Sequence, residues 1–136
     1  MNSNINIDKE IFKKHRVKLA YLFGSRAKEN AVSQSDFDIA VLFEKDGGRI
    51  DYFDKAIYLA EELRDYFPTE IDIVALNQAS SLLKYEVIAN SQLLYCCDEK
   101  FRLDFEVLSV NEYIDDKYVR DIYYNALKER VEKGVY

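Results

Sequence analysis

Asp36 and Asp38 stand one residue apart at the start of an apolar run, DFDIAVLF. Side chains alternate faces along a strand, so these two carboxylates share one face and Phe37, Ile39 and Val41 take the other. A second apolar run, EIDIVAL, repeats the parity: Asp72 on one face, Ile71 and Ile73 opposite. If the two strands are neighbours, three carboxylates converge on one patch of sheet. Clustered anions repel, and one of them should hold its proton unless cations neutralise the patch. Hard divalent cations take such oxygen ligands, and magnesium favours one or two carboxylates with substrate phosphates and water. A pair of such ions can activate an attacking oxygen and steady a leaving one at phosphorus.

Gly24 and Ser25 supply the complementary half, at the end of the run VKLAYLF. A strand that ends in Gly lets backbone approach a ligand closely. A helix beginning at Ser25 would offer free N–H groups and a positive dipole end to a phosphate. The Ser25 hydroxyl can bond a phosphate oxygen, and Arg26 adds a forked cation. Taken singly, Gly-Ser is an ordinary turn and N-cap, Asp-Phe-Asp is a pair of surface charges, and Arg26 solvates a helix. Their joint placement, phosphate donors on one side and metal-binding acids on the other, is more specific than any part.

These residues need a scaffold that brings distant strands together. Residues 7–15 read as a short helix with Asp8 near its start. VKLAYLF (17–23) suits a strand buried on both faces. Residues 25–31 suit a short helix, SQSD a turn, 36–43 a second strand and 44–49 a loop broken at Gly47-Gly48. In 50–67, Ile50, Phe53, Ile57, Ala60, Leu63 and Phe67 recur at helical spacing, and Pro68 stops the helix. A third strand follows at 70–76. A helix over 77–91 is capped by Asn77 or Ser80, and a fourth, shorter strand runs over 92–97. From Asp98 to about Lys133 the pattern is helical, with an expected break near Ser109-Val110-Asn111. Strands alternating with helices indicate a layered α/β (α+β) domain: a small mixed sheet of four strands with helices packed on it. The expectation is a single domain over 1–136, with 98–136 as a C-terminal helical segment.

The net charge is −6 and no basic stripe is visible, which disfavours DNA or RNA as the partner. Adjacent Cys96 and Cys97 do not make a disulfide framework, so two free thiols are expected. His15, the sole histidine, has no metal-ligand spacing around it. The N-terminal MNSNINIDKE has no apolar targeting core, and no run reaches the ~18 apolar residues of a membrane span. A cytoplasmic protein is expected.

The pattern Gly24-Ser25, ten residues, then Asp36-Phe37-Asp38 resembles the GSx10DxD signature of polymerase-beta-like nucleotidyltransferases. The stretch YLFGSRAKENAVSQSDFDIAVLF resembles the minimal nucleotidyltransferases, the MNT group. LKYEVIANSQLLYCCDE followed by a long helix is similar to the subset that acts as antitoxins beside HEPN-domain RNase toxins. Where the signature helix often carries Gly, this chain has Glu29-Asn30-Ala31. The resemblance implies a nucleotidyltransferase fold, two magnesium ions and ATP as substrate. It implies that Gly24 and Ser25 grip the triphosphate with Arg26 beside them. Asp36 and Asp38 would bind both metals, and Asp72 would complete one metal site and help activate the nucleophile. It further implies a type VII-like antitoxin that transfers AMP to a tyrosine hydroxyl of the partner toxin.

A transferase of this size must also hold its protein substrate. Phe101, Phe105, Leu108 and Tyr113, then Tyr118, Ile122, Tyr123, Tyr124 and Leu127, form a broad apolar and aromatic band on the last helix. Its first part is equally suited to the core, and the tyrosines beyond Ile114 suit a partner. Two rival readings remain: an antitoxin that only masks its toxin by binding, and a transferase acting on a small molecule. The acids argue against the first, and the absence of room for an acceptor pocket argues against the second.

Overall fold

The computed structural model describes residues 6–24, 37–45 and 51–134. Ser25, Arg26 and Asp36, with the helix and turn expected over 25–35 and most of the Gly47-Gly48 loop, lie outside the described residues.

Two inner strands carry the core. β1 (Val17–Phe23) and β2 (Phe37–Phe43) are buried along almost their whole length, as continuous apolar runs should be. They pair antiparallel; β3 (Ile71–Ala75) joins β2 in parallel and β4 (Gln92–Cys96) joins β1 antiparallel. The sheet order is β3-β2-β1-β4, so β3 and β4 are its edges. The mixed four-stranded sheet matches the expectation, and the parallel neighbouring of β2 and β3 meets the condition on which convergence of the acids depended.

Helices cover both faces. On one, Phe37, Ile39, Val41 and Phe43 of β2 pack with Ala20 and Leu22 of β1 against α1 (Lys9–Lys14) and α2 (Tyr52–Leu63). Val17 joins this face because the register shifts between Val17 and Leu19. On the other, Leu19, Tyr21, Ala40 and Leu42 meet Val87 of α3 (Ser81–Asn90) and Phe101 and Phe105 of α4 (Glu99–Glu132).

The caps are local. Asp8, Asp51, Ser80 and Asp98 each accept a bond from a first-turn N–H, which satisfies donors that have no intrahelical partner. Ser80, not Asn77, caps α3. Asn77 instead accepts from the Phe43 N–H and donates to the Phe43 carbonyl, both at 2.9 Å, and so ties the chain after β3 to the end of β2. His15 finds a partner 47 residues away: its Nε2 lies 2.7 Å from Glu62 Oε1, which joins α1 to α2. Lys14 and His15 hold the Glu62 carboxyl below the usual carboxylate range.

Two sequence expectations are corrected. α2 does not bury Phe53 and Ile57, which are exposed; Tyr52, Ala56, Leu59 and Leu63 face the sheet. The helix is apolar over more than one stripe, and the stacking of Tyr52 on Phe43 accompanies the other choice. Nor does α4 break at Ser109: it runs unbroken for 34 residues, about 50 Å at 1.5 Å per residue. Ser109 is buried on the same i,i+4 stripe as Phe105 and Tyr113, where a small side chain lets α4 lie close to α3.

Candidate active site

Three backbone facts assemble the site. Asp38 stands opposite Asp72 in the parallel β2–β3 register and opposite Phe23 in the antiparallel β1–β2 register. Register partners on adjacent strands point to the same face roughly 5 Å apart, so both carboxylates look out on the α3/α4 side of the sheet. Gly24, one residue beyond Phe23, has φ +89°, a conformation that favours glycine. A Cβ at Gly24 would collide with Asp38 Oδ2 and stand 3.2 Å from its Cγ. Glycine is therefore favoured by its dihedral, and the Asp38 carboxylate packed against it would have to shift to admit a Cβ.

The two acids differ in setting. Asp38 on inner strand β2 is half-buried, whereas Asp72 on the edge strand is exposed. Ile39 and Ile73, their neighbours in sequence, point into the opposite core, as the parity argument requires. Among the described residues no three His, Cys, Asp or Glu side chains form a metal cage. A pair of carboxylates beside a glycine bend suits a magnesium ion that brings phosphate oxygens with it, and the residues present fit such an ion. Of the expected site residues, Gly24, Asp38 and Asp72 come together.

Behind the acids, on the same face, lies a contact that the strand pattern did not reveal. The buried Tyr21 hydroxyl donates to Glu106 Oε2 at 2.7 Å, and Arg102 holds the same carboxylate at 3.3 Å. This pins α4 to β1 three residues before Gly24. Lys18 over the Phe101 ring, Lys84 on Glu112 at 3.0 Å, and Tyr85 stacked on Tyr113 extend the anchorage. Tyr in a buried strand reads as apolar area, and its partner 85 residues away leaves no local signal.

Burial and the Glu106 carboxylate push the Tyr21 phenol well above the usual tyrosine range. An unfolded tyrosine ionises near ~10, so the folded chain keeps a proton that the unfolded chain loses. Stability from this group is complete below about pH 10 and declines as pH rises beyond it. Tyr21→Phe should cost about 1 kcal/mol at pH 8 and flatten that alkaline decline. Urea unfolding at the two ends of this range measures both.

α4 leaves the body after Tyr113. Phe101, Phe105 and Tyr113 are half-buried, Leu108 is exposed, and every described residue beyond Tyr113 is exposed, including Tyr118, Tyr123 and Tyr124. Cys96 and Cys97 are free thiols, and burial raises the pKa of the first. None of the described helices is long and apolar enough to cross a membrane.

A mixed sheet that pairs acids at the starts of β2 and β3, beside a glycine bend after β1, defines a nucleotidyl-transfer fold. The family model for polymerase beta nucleotidyltransferases matches residues 6–100, and the chain belongs to that family. A Methanocaldococcus jannaschii relative named Putative protein adenylyltransferase is 33% identical over 78 residues, 57% of this chain and 80% of the relative. A crystal structure of a toxin–antitoxin with AMP-PNP contains a chain that matches at TM-score 0.69 and 25% identity, covering 88% of this chain and 94% of that one. A tri-AMPylated Shewanella oneidensis HEPN toxin in complex with MNT antitoxin matches at TM-score 0.65 and 23% identity, over 88% and 91% of the two chains. The last is a likeness of fold.

Proposed function

We propose that this chain is the antitoxin of a type VII-like toxin–antitoxin pair, a magnesium-dependent protein adenylyltransferase that moves AMP from ATP to a tyrosine hydroxyl of a HEPN-domain RNase toxin. The observation that carries the chemistry is the in-register pair Asp38 and Asp72 beside the left-handed Gly24. The name of the archaeal relative supports a protein acceptor. The toxin–antitoxin with AMP-PNP supports both the nucleotide and the partner.

In this reading Gly24 and Ser25 hold the triphosphate and Arg26 adds charge to it. Asp36, Asp38 and Asp72 would hold two magnesium ions, which when bound neutralise phosphate charge as it shifts during displacement. The tyrosine oxygen attacks the α-phosphorus and forms a new P–O bond. The bond from that phosphorus to the bridging oxygen breaks, and pyrophosphate leaves with the electron pair. Asp72, the exposed acid, takes the phenol proton. The product is an anionic, bulky phosphodiester on the toxin, which blocks an RNA-binding centre by charge and size.

The toxin docks along α4. Ile114, Tyr118, Ile122 and Tyr123 stand exposed on a stretch whose described residues are all exposed. Amphipathic aromatic side chains of this kind are enriched at interfaces. A cytoplasmic setting follows from the need for ATP. Purified toxin incubated with this chain, ATP and magnesium should gain whole AMP units in its intact mass. An unmodified toxin that is nevertheless silenced would make the protein a masking antitoxin instead.

A further inference from the structure

Tyr21 stands one row behind the acids. Strand alternation puts Tyr21 and Phe23 on the same face of β1. Phe23 is the register partner of Asp38, and Tyr21 that of Ala40, two residues further along β2. At about 3.4 Å per residue the two rows are about 7 Å apart. The Tyr21 hydroxyl donates to Glu106 of α4 at 2.7 Å, and Arg102, one turn earlier on α4, donates to the same carboxylate at 3.3 Å. Strand and helix are therefore joined by a directed contact beside the site.

Stability alone is a poor reason for that contact. Tyr21 is 2% exposed, and its hydroxyl and the Glu106 carboxylate give up bonds to water to make this one, so the net gain is small. A phenylalanine would fill the same core. What the hydrogen bond adds is direction. The contacts of Phe101 and Phe105 with the sheet are apolar, and apolar attraction has no preferred direction and tolerates sliding. Tyr85 on Tyr113 and Lys84 on Glu112 join α4 to α3, not to a strand.

The length of α4 magnifies any error at this joint. It is one unbroken helix, and Tyr118 lies about 18 Å beyond Glu106 at about 1.5 Å per residue. A tilt of about 5° at the joint would carry Tyr118 sideways by about 1.5 Å over that length. Misplacing a reacting group by about 1 Å can cost about a hundredfold in rate.

We infer that the hydrogen bond from Tyr21 to Glu106 is a positioning contact, which sets the angle at which α4, and the toxin docked on its exposed end, stands to the phosphate bend at Gly24. This rests on the transferase reading above. Neither residue needs to touch ATP or toxin: Tyr21 is enclosed, and Glu106 precedes the exposed stretch of α4. Losing the bond leaves both binding surfaces intact and their separation less defined, so binding survives and the rate falls.

The test is the single-turnover rate of AMP transfer to purified HEPN toxin, at saturating toxin and MgATP, by full-length variants. Tyr21→Phe should lower that rate about tenfold or more. MgATP affinity by calorimetry and the half-saturating toxin concentration should stay at wild-type values. Glu106→Ala should reproduce the loss, and the double variant should be no slower than either single one. Glu106→Gln, whose amide oxygen still accepts from the hydroxyl, should retain most of the rate. Glu62→Ala, which breaks the contact of α1 with α2 on the opposite face, controls for lost stability and should transfer at the wild-type rate. An unchanged rate in Tyr21→Phe, an equal fall in Glu62→Ala, or a loss of MgATP affinity in Tyr21→Phe would overturn the positioning role and leave the transferase standing. A wild-type chain that adds no AMP to the toxin would overturn both.

Discussion

Asp38→Asn should leave a folded chain that binds its partner and transfers almost no AMP. In the proposed reaction several kcal/mol of charge stabilisation at phosphorus would depend on ions that this acid helps to hold, and each 1.4 kcal/mol is about tenfold in rate, so the loss should be roughly a thousandfold or more. The fold should not suffer, because Asn keeps the shape of the Asp38 side chain and an oxygen that accepts hydrogen bonds at this half-buried position of β2. The thermal midpoint without ligand should therefore stay close to that of the wild-type chain. MgATP should raise the midpoint of the wild-type chain by mass action and do much less for the variant. Adding Asp36→Asn should remove the residual activity. Intact-mass analysis of the toxin and paired melting curves with and without MgATP check these statements. A variant that unfolds would show instead that the acid holds the sheet together.

That prediction draws on a fact half visible in the sequence. Period-two alternation put Asp38 and Asp72 on defined faces of their own strands, and Ile39 and Ile73 do enter the opposite core. Strand order has no local signature, so the meeting of those faces stayed conditional until the β2–β3 pairing was seen. Helix caps at Asp8, Ser80 and Asp98 were legible or nearly so because an N-cap is a contact between residues two or three apart. The buried face of α2 was not. Its apolar residues occupy more than one stripe, and the side that turns inward depends on contacts with a strand outside the helix, including Tyr52 on Phe43. Ser109 misled for a related reason. A small polar residue in a helical pattern reads as a breaker, yet here it is 2% exposed in the α3–α4 contact.

Long-range polar pairs are hidden for the same reason. Tyr21 with Glu106, His15 with Glu62 and Asn77 with Phe43 span 85, 47 and 34 residues. Each joins elements that periodicity can name but cannot place against one another. They hold α4 to β1, α2 to the end of α1, and the chain after β3 to the end of β2. The anchored start of α4 and its exposed continuation belong to one helix, so the exposed end is connected to β1 through Tyr21. The band of aromatic residues on that helix was legible as amphipathic surface. Its division at Tyr113, core before and solvent after, follows from where α3 begins, since Tyr113 stacks on Tyr85 in the first half of that helix.

Gly24→Ala should be costly in activity and in stability together. Two separable penalties act there. At φ +89° an L side chain is strained, which costs on the order of 1–3 kcal/mol. The new Cβ also collides with Asp38 Oδ2 and stands 3.3 Å from the Asp38 Cβ. The three nearest atoms all belong to the Asp38 side chain, so relief comes from a shift of the carboxylate. A misplacement of about 1 Å in a reacting group can lower a rate by about a hundredfold, and transfer should fall at least that far. Pairing Gly24→Ala with Asp38→Gly separates the penalties, because the second change removes the colliding carboxylate and leaves the dihedral strain. Urea unfolding of the two single variants and the double variant forms a cycle whose coupling term is the collision alone. A favourable coupling of about 1 kcal/mol or more would show that glycine is required here for the room it gives Asp38. A coupling near zero would leave backbone conformation as the whole reason, and Asp38 would then be free to move away from Gly24 without loss.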